Sequence, residues 1–342
     1  MSTPAAEFGL GIQGDKPAGE YGRLAAIAER YDFDVVSVFS DLMFSPPIFP
    51  LLEMAASTER VRLGAACWNP YSMHPYEIAG QLAALDLASH GRAYFGLARG
   101  TWLGDVGLAQ PSPLGYLAEV IEYVYSLLSA DGHGFEGRHF TLAPGVVPRF
   151  PIERARPPLL MGVWGPKASA LAGAIADEIK IGGTANPAMV AVMRDRLAAG
   201  ETKAGRDVGD TRIVMGAVTV VDLDGVAARA KARREVAMYL AVVAEFDPTV
   251  EIPSDLLDRV KLLVADGDHD AAGRLIPDDL LDLFAFSGSP EQVAAQAQRL
   301  IDAGVHRIDF GTPQGLTDDR GIEVLGEYVL PQLQPARSTV AL

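Results

Sequence analysis

The residues of this chain able to do chemistry fall in short clusters, each directly after an apolar run. Ser40-Asp41 follows DVVSVF, Ala66-Cys67-Trp68-Asn69 follows VRLGA, and Arg99-Gly100-Thr101-Trp102 follows AYFGLA. Val163-Trp164-Gly165-Pro166-Lys167 follows PPLLMG, and Gly182-Gly183-Thr184 follows DEIKI. Asp41 offers a carboxylate that could hold a donor or a cation of a ligand, or cap the loop behind it. Arg99 carries a planar guanidinium suited to a carboxylate or a phosphate. Trp68, Trp102 and Trp164 could wall a pocket around a flat ligand, or pack beneath a covering segment. Ala65 and Ala66 are small enough to let backbone approach a flat ring, although an ordinary buried strand end reads the same way. Cys67 has no basic neighbour in sequence and reads as a core thiol, not a nucleophile.

Gly165-Pro166-Lys167 opens a helix straight after a strand. Glycine allows close approach, proline at the first helical position wastes no N–H, and a helix N-terminus favours an anion. Gly182-Gly183-Thr184 ends the next strand, where glycine amides and a hydroxyl could complete a phosphate cradle; a pair of plain turns is the alternative. No Walker or dinucleotide fingerprint is present, and GLGIQG at 9–14 spaces its glycines wrongly for one. His74, His90, His133, His139, His269 and His306 are scattered without metal-ligand spacing, so no metal site is expected. No Gly-x-Ser-x-Gly elbow suggests a hydrolase.

Positioning these clusters takes eight strands. Apolar runs at 8–12, 34–39, 61–67, 93–98, 158–163, 177–181, 212–221 and 306–311 alternate with amphipathic stretches at helical spacing. Residues 60–100 alone read as strand, helix and parallel strand, a complete βαβ unit. The helical stretches lie at 20–31, 51–57, 75–89, 114–128, 168–176, 187–205, 289–304 and 321–330, with Ile78, Leu82, Leu85 and Leu87 at helical spacing in the third. The pattern predicts a single (β/α)8 TIM barrel over 1–342, with its site at the C-terminal strand ends. Two segments exceed ordinary connections: 131–156, rich in Gly and Pro and expected over one end of the barrel, and 223–283, mostly helical. Gln13 and Gly311-Thr312 complete the strand-end set.

The chain has 342 residues, 49% hydrophobic content and a formal net charge of −15, with one cysteine. That charge opposes binding to nucleic acid. One cysteine excludes an internal disulfide framework. No run reaches the roughly 18 apolar residues of a membrane helix, and no signal peptide is evident. The expectation is a cytoplasmic protein with a small-molecule substrate.

Four segments, in order, carry a resemblance: TERVRLGAACWNP with His74-Pro75, SHGRAYFGLARG, PPLLMGVWGPKASALAGAIADEIKIGG, and FSGSPEQVAAQAQRLIDAGVHRIDFG. Together they resemble the bacterial luciferase-like flavin and deazaflavin oxidoreductases. More narrowly they resemble the coenzyme F420-dependent branch and its methylenetetrahydromethanopterin reductase-like proteins. The resemblance implies a (β/α)8 barrel, a homodimer, and F420 (or FMN) bound at the C-terminal face. It implies a non-prolyl cis peptide at Ala66-Cys67 against the ring, with Asp41 and Asn69 beside it. It places the cofactor phosphate at Val163 to Lys167 and Gly182 to Thr184. It departs from the family where Leu42 replaces a histidine, and where Gly11 and Thr101 replace acids. Asp41, Arg99 and Trp102 are the candidates for catalysis. The implied activity is hydride transfer between the deazaflavin C5 and an activated C=N or C=C bond. An FMN-dependent monooxygenase and a non-catalytic cofactor-binding barrel are the alternatives.

Overall fold

The computed structural model describes residues 6–41 and 44–335. The reading of Leu42 lies outside the described residues. Eight strands, Glu7–Ile12 (β1), Val35–Val38 (β2), Arg62–Ala65 (β3), Phe95–Ala98 (β4), Leu159–Gly162 (β5), Glu178–Gly182 (β6), Arg212–Val221 (β7) and Arg307–Gly315 (β8), run parallel in the order β3-β2-β1-β8-β7-β6-β5-β4. Parallel bridges Leu63–Ala93 and Trp68–Leu97 join β3 to β4 and close the ring. This is the (β/α)8 barrel that the alternation predicts.

The helices are Glu20–Arg30 (α1), Ile48–Ala56 (α2), Pro75–Ala88 (α3), Pro113–Leu128 (α4), Pro166–Ile175 (α5), Ala188–Lys203 (α6) and Gly225–Val243 (α7). Ser254–Ala265 (α8), His269–Arg274 (α9), Asp278–Phe284 (α10), Pro290–Ala303 (α11) and Asp318–Val324 (α12) follow. α3 shows how they form. The His74 imidazole accepts from the Tyr76 amide at the N-cap, and Pro75 takes the first position. Ile78, Leu82 and Leu85 are buried against the barrel. Leu87 is 39% exposed, because it sits off that face. α11 carries a complete capping box between Ser289 and Gln292.

One of the two long segments differs from expectation, and the other is helical as expected. Residues 131–156 do not cover a barrel end. They hold a short hairpin, Phe135–Glu136 with Thr141–Leu142, laid along the outside of α3 and α4. Phe140 packs on His74 and Tyr116, and Arg154 pairs with the buried Asp86 of α3. Residues 223–283 are four helices with an apolar core of their own around Val236, Leu240, Val260 and Phe284. The chain then forms a strand that the periodicity did not reveal, Ala285–Gly288, paired with Val218–Val221 of β7. β8 also runs past Gly311, through a register shift and a cis Thr312-Pro313 peptide, to Gly315.

The barrel interior is filled by charge at its N-terminal end. Arg307, fully buried, donates Nε to Asp309 at 2.9 Å and Nη1 to Glu178. Lys180 donates Nζ to the other Asp309 oxygen at 2.7 Å. Arg62 pairs with Glu7 and Glu178, and Arg212 with the same two at 2.8 and 3.2 Å. β3 and β6 are not neighbours, so the Arg62–Glu178 pair spans the interior. Burial would raise the Asp309 carboxyl, but Arg307 and Lys180 outweigh it and hold it at about 2.

Helix packing yields a direct test. A methyl on Gly200 of α6 would overlap the carbonyl oxygen of Ala170 in α5, whereas one on the exposed Gly115 of α4 meets nothing within 4 Å. Gly200→Ala is expected to lower unfolding free energy by about 1–3 kcal/mol. Gly115→Ala should leave it unchanged or raise it by up to about 1 kcal/mol. Urea unfolding of both variants checks the pair.

Candidate active site

The strand ends open into a cavity of about 860 Å³. Its floor is backbone and small side chains from the barrel: Ala66, Cys67, Ala98, Gly162 and Gly216, with Lys180 and Asp309 between them. The Ala66-Cys67 peptide is cis, as the resemblance implies. One wall is Trp102, Leu103 and Gln110 from the segment after β4. The facing wall is Tyr239, Val243 and Phe246, from α7 and the turn beyond it. The rings pair across the mouth: Trp102 lies 6.1 Å from Tyr239, and Trp164 lies 5.8 Å from Phe246.

Of the residues singled out above, Asp41, Ala66, Cys67, Asn69, Arg99, Trp102, Val163, Trp164, Gly165, Pro166, Lys167, Gly182 and Gly183 all line this cavity. Thr184 does not. It is fully buried, its hydroxyl donates to the Leu283 carbonyl at 3.3 Å, and it accepts from the Asn186 amide. The amides of Gly183 and Thr184 both donate to the Gly216 carbonyl. The cradle expected at 182–184 therefore has no free Gly183 or Thr184 amide for a phosphate. What remains is the start of α5, where the first-turn N–H groups lack intrahelical partners and Lys167 is exposed. Trp68 also leaves the expected set. It is fully buried, its indole N–H donates to Gln81 of α3, and it packs on Phe95.

Arg99 is held by its loop. Its Nε donates to Gln110 Oε1 at 2.7 Å, while Gln110 Nε2 donates back to the Arg99 and Gly100 carbonyls. Asn69 accepts the Tyr71 amide and packs beneath Gly100, whose φ of 83° suits glycine. Burial pushes the Cys67 thiol up to about 12, which removes it as a nucleophile. Asp41 is different. Burial alone pushes its carboxyl up to about 6, and among the described residues no cation compensates it. At the cavity rim it is therefore held well above the ordinary carboxylate range.

Among the cavity residues that the sequence did not single out are Lys180, Asp309, Tyr239 and Phe246. Lys180 and Asp309 had a signal, a charge inside an otherwise apolar strand in DEIKI and RIDF. The two aromatics had none, because no periodicity tells which face of an inserted helix meets the barrel.

A model of the luciferase-like monooxygenase family matches residues 1–307. This chain belongs to that family. Among the luciferase-like proteins it is 26% identical to 5,10-methylenetetrahydromethanopterin reductase of Methanopyrus kandleri, over 96% of this chain and 98% of that one. It is also 26% identical to F420-dependent glucose-6-phosphate dehydrogenase of Nakamurella multipartita, over 98% of each. The solved coenzyme F420-dependent tetrahydromethanopterin reductase of M. kandleri superposes with a TM-score of 0.88 at 24% identity, covering 97% of this chain and all of that one. Family membership makes the chain an oxidoreductase. Among the described residues no helix is long and apolar enough to cross a membrane, and no cluster of His, Cys, Asp or Glu could hold a metal ion.

In this luciferase-like barrel the Asp41 carboxyl supplies a pH test. Its ordinary value of 3.8 rises to about 6 in the fold. The native state thus binds the extra proton between those values, and stability falls as pH rises through them. Asp41→Asn is expected to stabilise the protein by about 1–3 kcal/mol at pH 8, with the gain vanishing toward pH 4. Denaturant unfolding at several pH values checks it, and a pH-independent difference refutes it.

Proposed function

We propose that the chain is a coenzyme F420-dependent oxidoreductase whose substrate presents an already activated C=N or C=C bond. The observation that carries this is the pairing of a small-residue floor with an open helix N-terminus across one cavity. A Cβ placed on Gly165 or Gly182 meets nothing within 4 Å, so free space lies directly against backbone there. A planar ring on the floor and a phosphate at α5 fit the residues present. A relative named for F420, matched over 98% of its length, supports the same reading.

When bound, F420 supplies or accepts hydride at C5 of its deazaflavin. The chain's own residues bind, orient and exclude water. The α5 amides and Lys167 would hold the phosphate. Trp102, Tyr239, Trp164 and Phe246 would shield the ring from solvent. Asp41 and Arg99 stand at the rim, where they would orient a substrate's polar groups.

The substrate class follows from what the site omits. Position 11 is glycine, and a Cβ there would meet the Phe39 ring at 2.6 Å. Phe39 thus occupies the space that an acid on β1 would need. Position 101 is threonine. With no acid at either place, a bond that needs little protonation before accepting hydride suits the site best. The same proposal includes a homodimer, a cytoplasmic setting, and one barrel unit over 1–342 with insertions at about 131–156 and 223–283. These rest on the resemblance and the sequence pattern alone.

Titration of the purified protein with F420 and with FMN tests the reading. Saturable F420 binding at low micromolar concentration is expected. FMN binding with none to F420, and oxygen uptake with reduced FMN, would move the chain to the family's monooxygenases. Gly182→Val should leave stability within about 0.5 kcal/mol. It should also weaken cofactor binding at least about tenfold, or 1.4 kcal/mol.

A further inference from the structure

Lys180 is the one feature of the cavity that neither the barrel's packing nor the hydride chemistry explains. It sits on β6 between apolar neighbours, is 8% exposed, and lines the floor. Its Nζ makes one hydrogen bond, to Asp309 at 2.7 Å. Among the described residues no other acceptor takes its two remaining N–H donors. Asp309 does not fully neutralise it, because its second oxygen already serves Arg307. In the ion-paired cluster behind it, Arg62, Arg212 and Arg307 pair with Glu7, Glu178 and Asp309, and the Asp34 carboxylate also lies near Arg62 and Arg307. Lys180 is the cation of the set that reaches the cavity.

The surroundings make room for this. Gly216 lies beside the Lys180 stem, its Cβ position 3.5 Å from Cε. The ammonium stands 5.7 Å from the centre of the Phe39 ring. A charged side chain is thus led through a layer of glycine and aromatic surface to the floor.

We propose that Lys180 is a cofactor-contacting residue that donates its free N–H groups to an electron-rich edge of the bound ring and so favours the reduced, more anionic form. This rests on the reading of the chain as an F420 enzyme. A cation near such an edge tunes the ring electronics without taking part in proton transfer. Asp309 and Arg307 are positioning residues: the carboxylate fixes the ammonium, and the guanidinium fixes the carboxylate.

The test compares wild type with Lys180→Met and Lys180→Gln in the full-length protein. Asp309 keeps Arg307 as its partner in both variants, and a thermal melt establishes that each is folded. Oxidised and chemically reduced F420 are titrated separately without oxygen, and the potential of the bound cofactor is measured against a redox dye. Oxidised F420 should bind within about twofold of wild type. Reduced F420 should bind about tenfold more weakly, which lowers the bound potential by about 30 mV for a two-electron couple. Lys180→Arg should recover most of that preference. Equal changes in both forms, or none, with an unshifted potential overturn the role of Lys180 and leave the F420 assignment intact. Wild type that binds no F420 removes the assignment itself, and the inference with it.

Discussion

The buried Arg307 is the constraint to which the barrel is built. A guanidinium without solvent is tolerable only with its charge answered and most of its donors used. Glu178 and Asp309 answer it from β6 and from two positions further along β8. Those two carboxylates in turn draw in Lys180, Arg62 and Arg212, so charges from β3, β6, β7 and β8, with Glu7 of β1, meet inside the ring. Barrels of this class usually fill that space with layers of branched apolar side chains. Here long polar chains need volume, and glycine provides it. A Cβ on Gly9 would run into the Asp309 carboxylate. Gly9 of β1 and Gly216 of β7 are thus consequences of the charge.

The same arrangement divides the molecule along the barrel axis. The N-terminal half of the interior is ion-paired and closed. The C-terminal half is left with small residues, because Gly162, Gly216, Ala66 and Ala98 stand where bulky chains would otherwise meet. The cavity is the space that results. Its electrostatics follow from position: Asp41 at the rim has burial without a partner and is pushed up. Asp309 at the floor has burial with two cations and is held low. Two carboxylates of one site are separated in protonation by neighbours alone.

The strands, their order of appearance and the strand-end clusters were legible in the sequence, because parallel strands covered on both faces read as continuous apolar runs. Most of the strand-end residues picked for the site line the cavity, but Thr184 and Trp68 do not. Thr184 failed because a glycine-glycine-threonine turn says nothing about which of its groups the protein itself will use. Trp68 failed for a related reason: one residue beyond the cis peptide its side chain leaves the barrel for α3, and alternation cannot be counted through a bend. Segment 131–156 was misplaced because composition shows that a stretch is irregular, not where it lies. The interior charges were visible as letters in DEIKI and RIDF but not as a network. Their partners come from strands more than a hundred residues apart.

The short strand Ala285–Gly288 takes over the edge of β7 above the point where β6 stops. It works as a lap joint: β7 is longer than its neighbours, and the protruding half carries a separate structure. α7 hangs from that overhang, pinned by Lys231 to the Gly315 and Leu316 carbonyls, and Asn186 ties the far end to Asp247 and Thr249. The cavity wall bearing Tyr239 and Phe246 is thereby mounted on the barrel and not woven into it. Ligand shape can then be recut in the mounted piece, while the ring seat and the ionic interior beneath it keep their geometry.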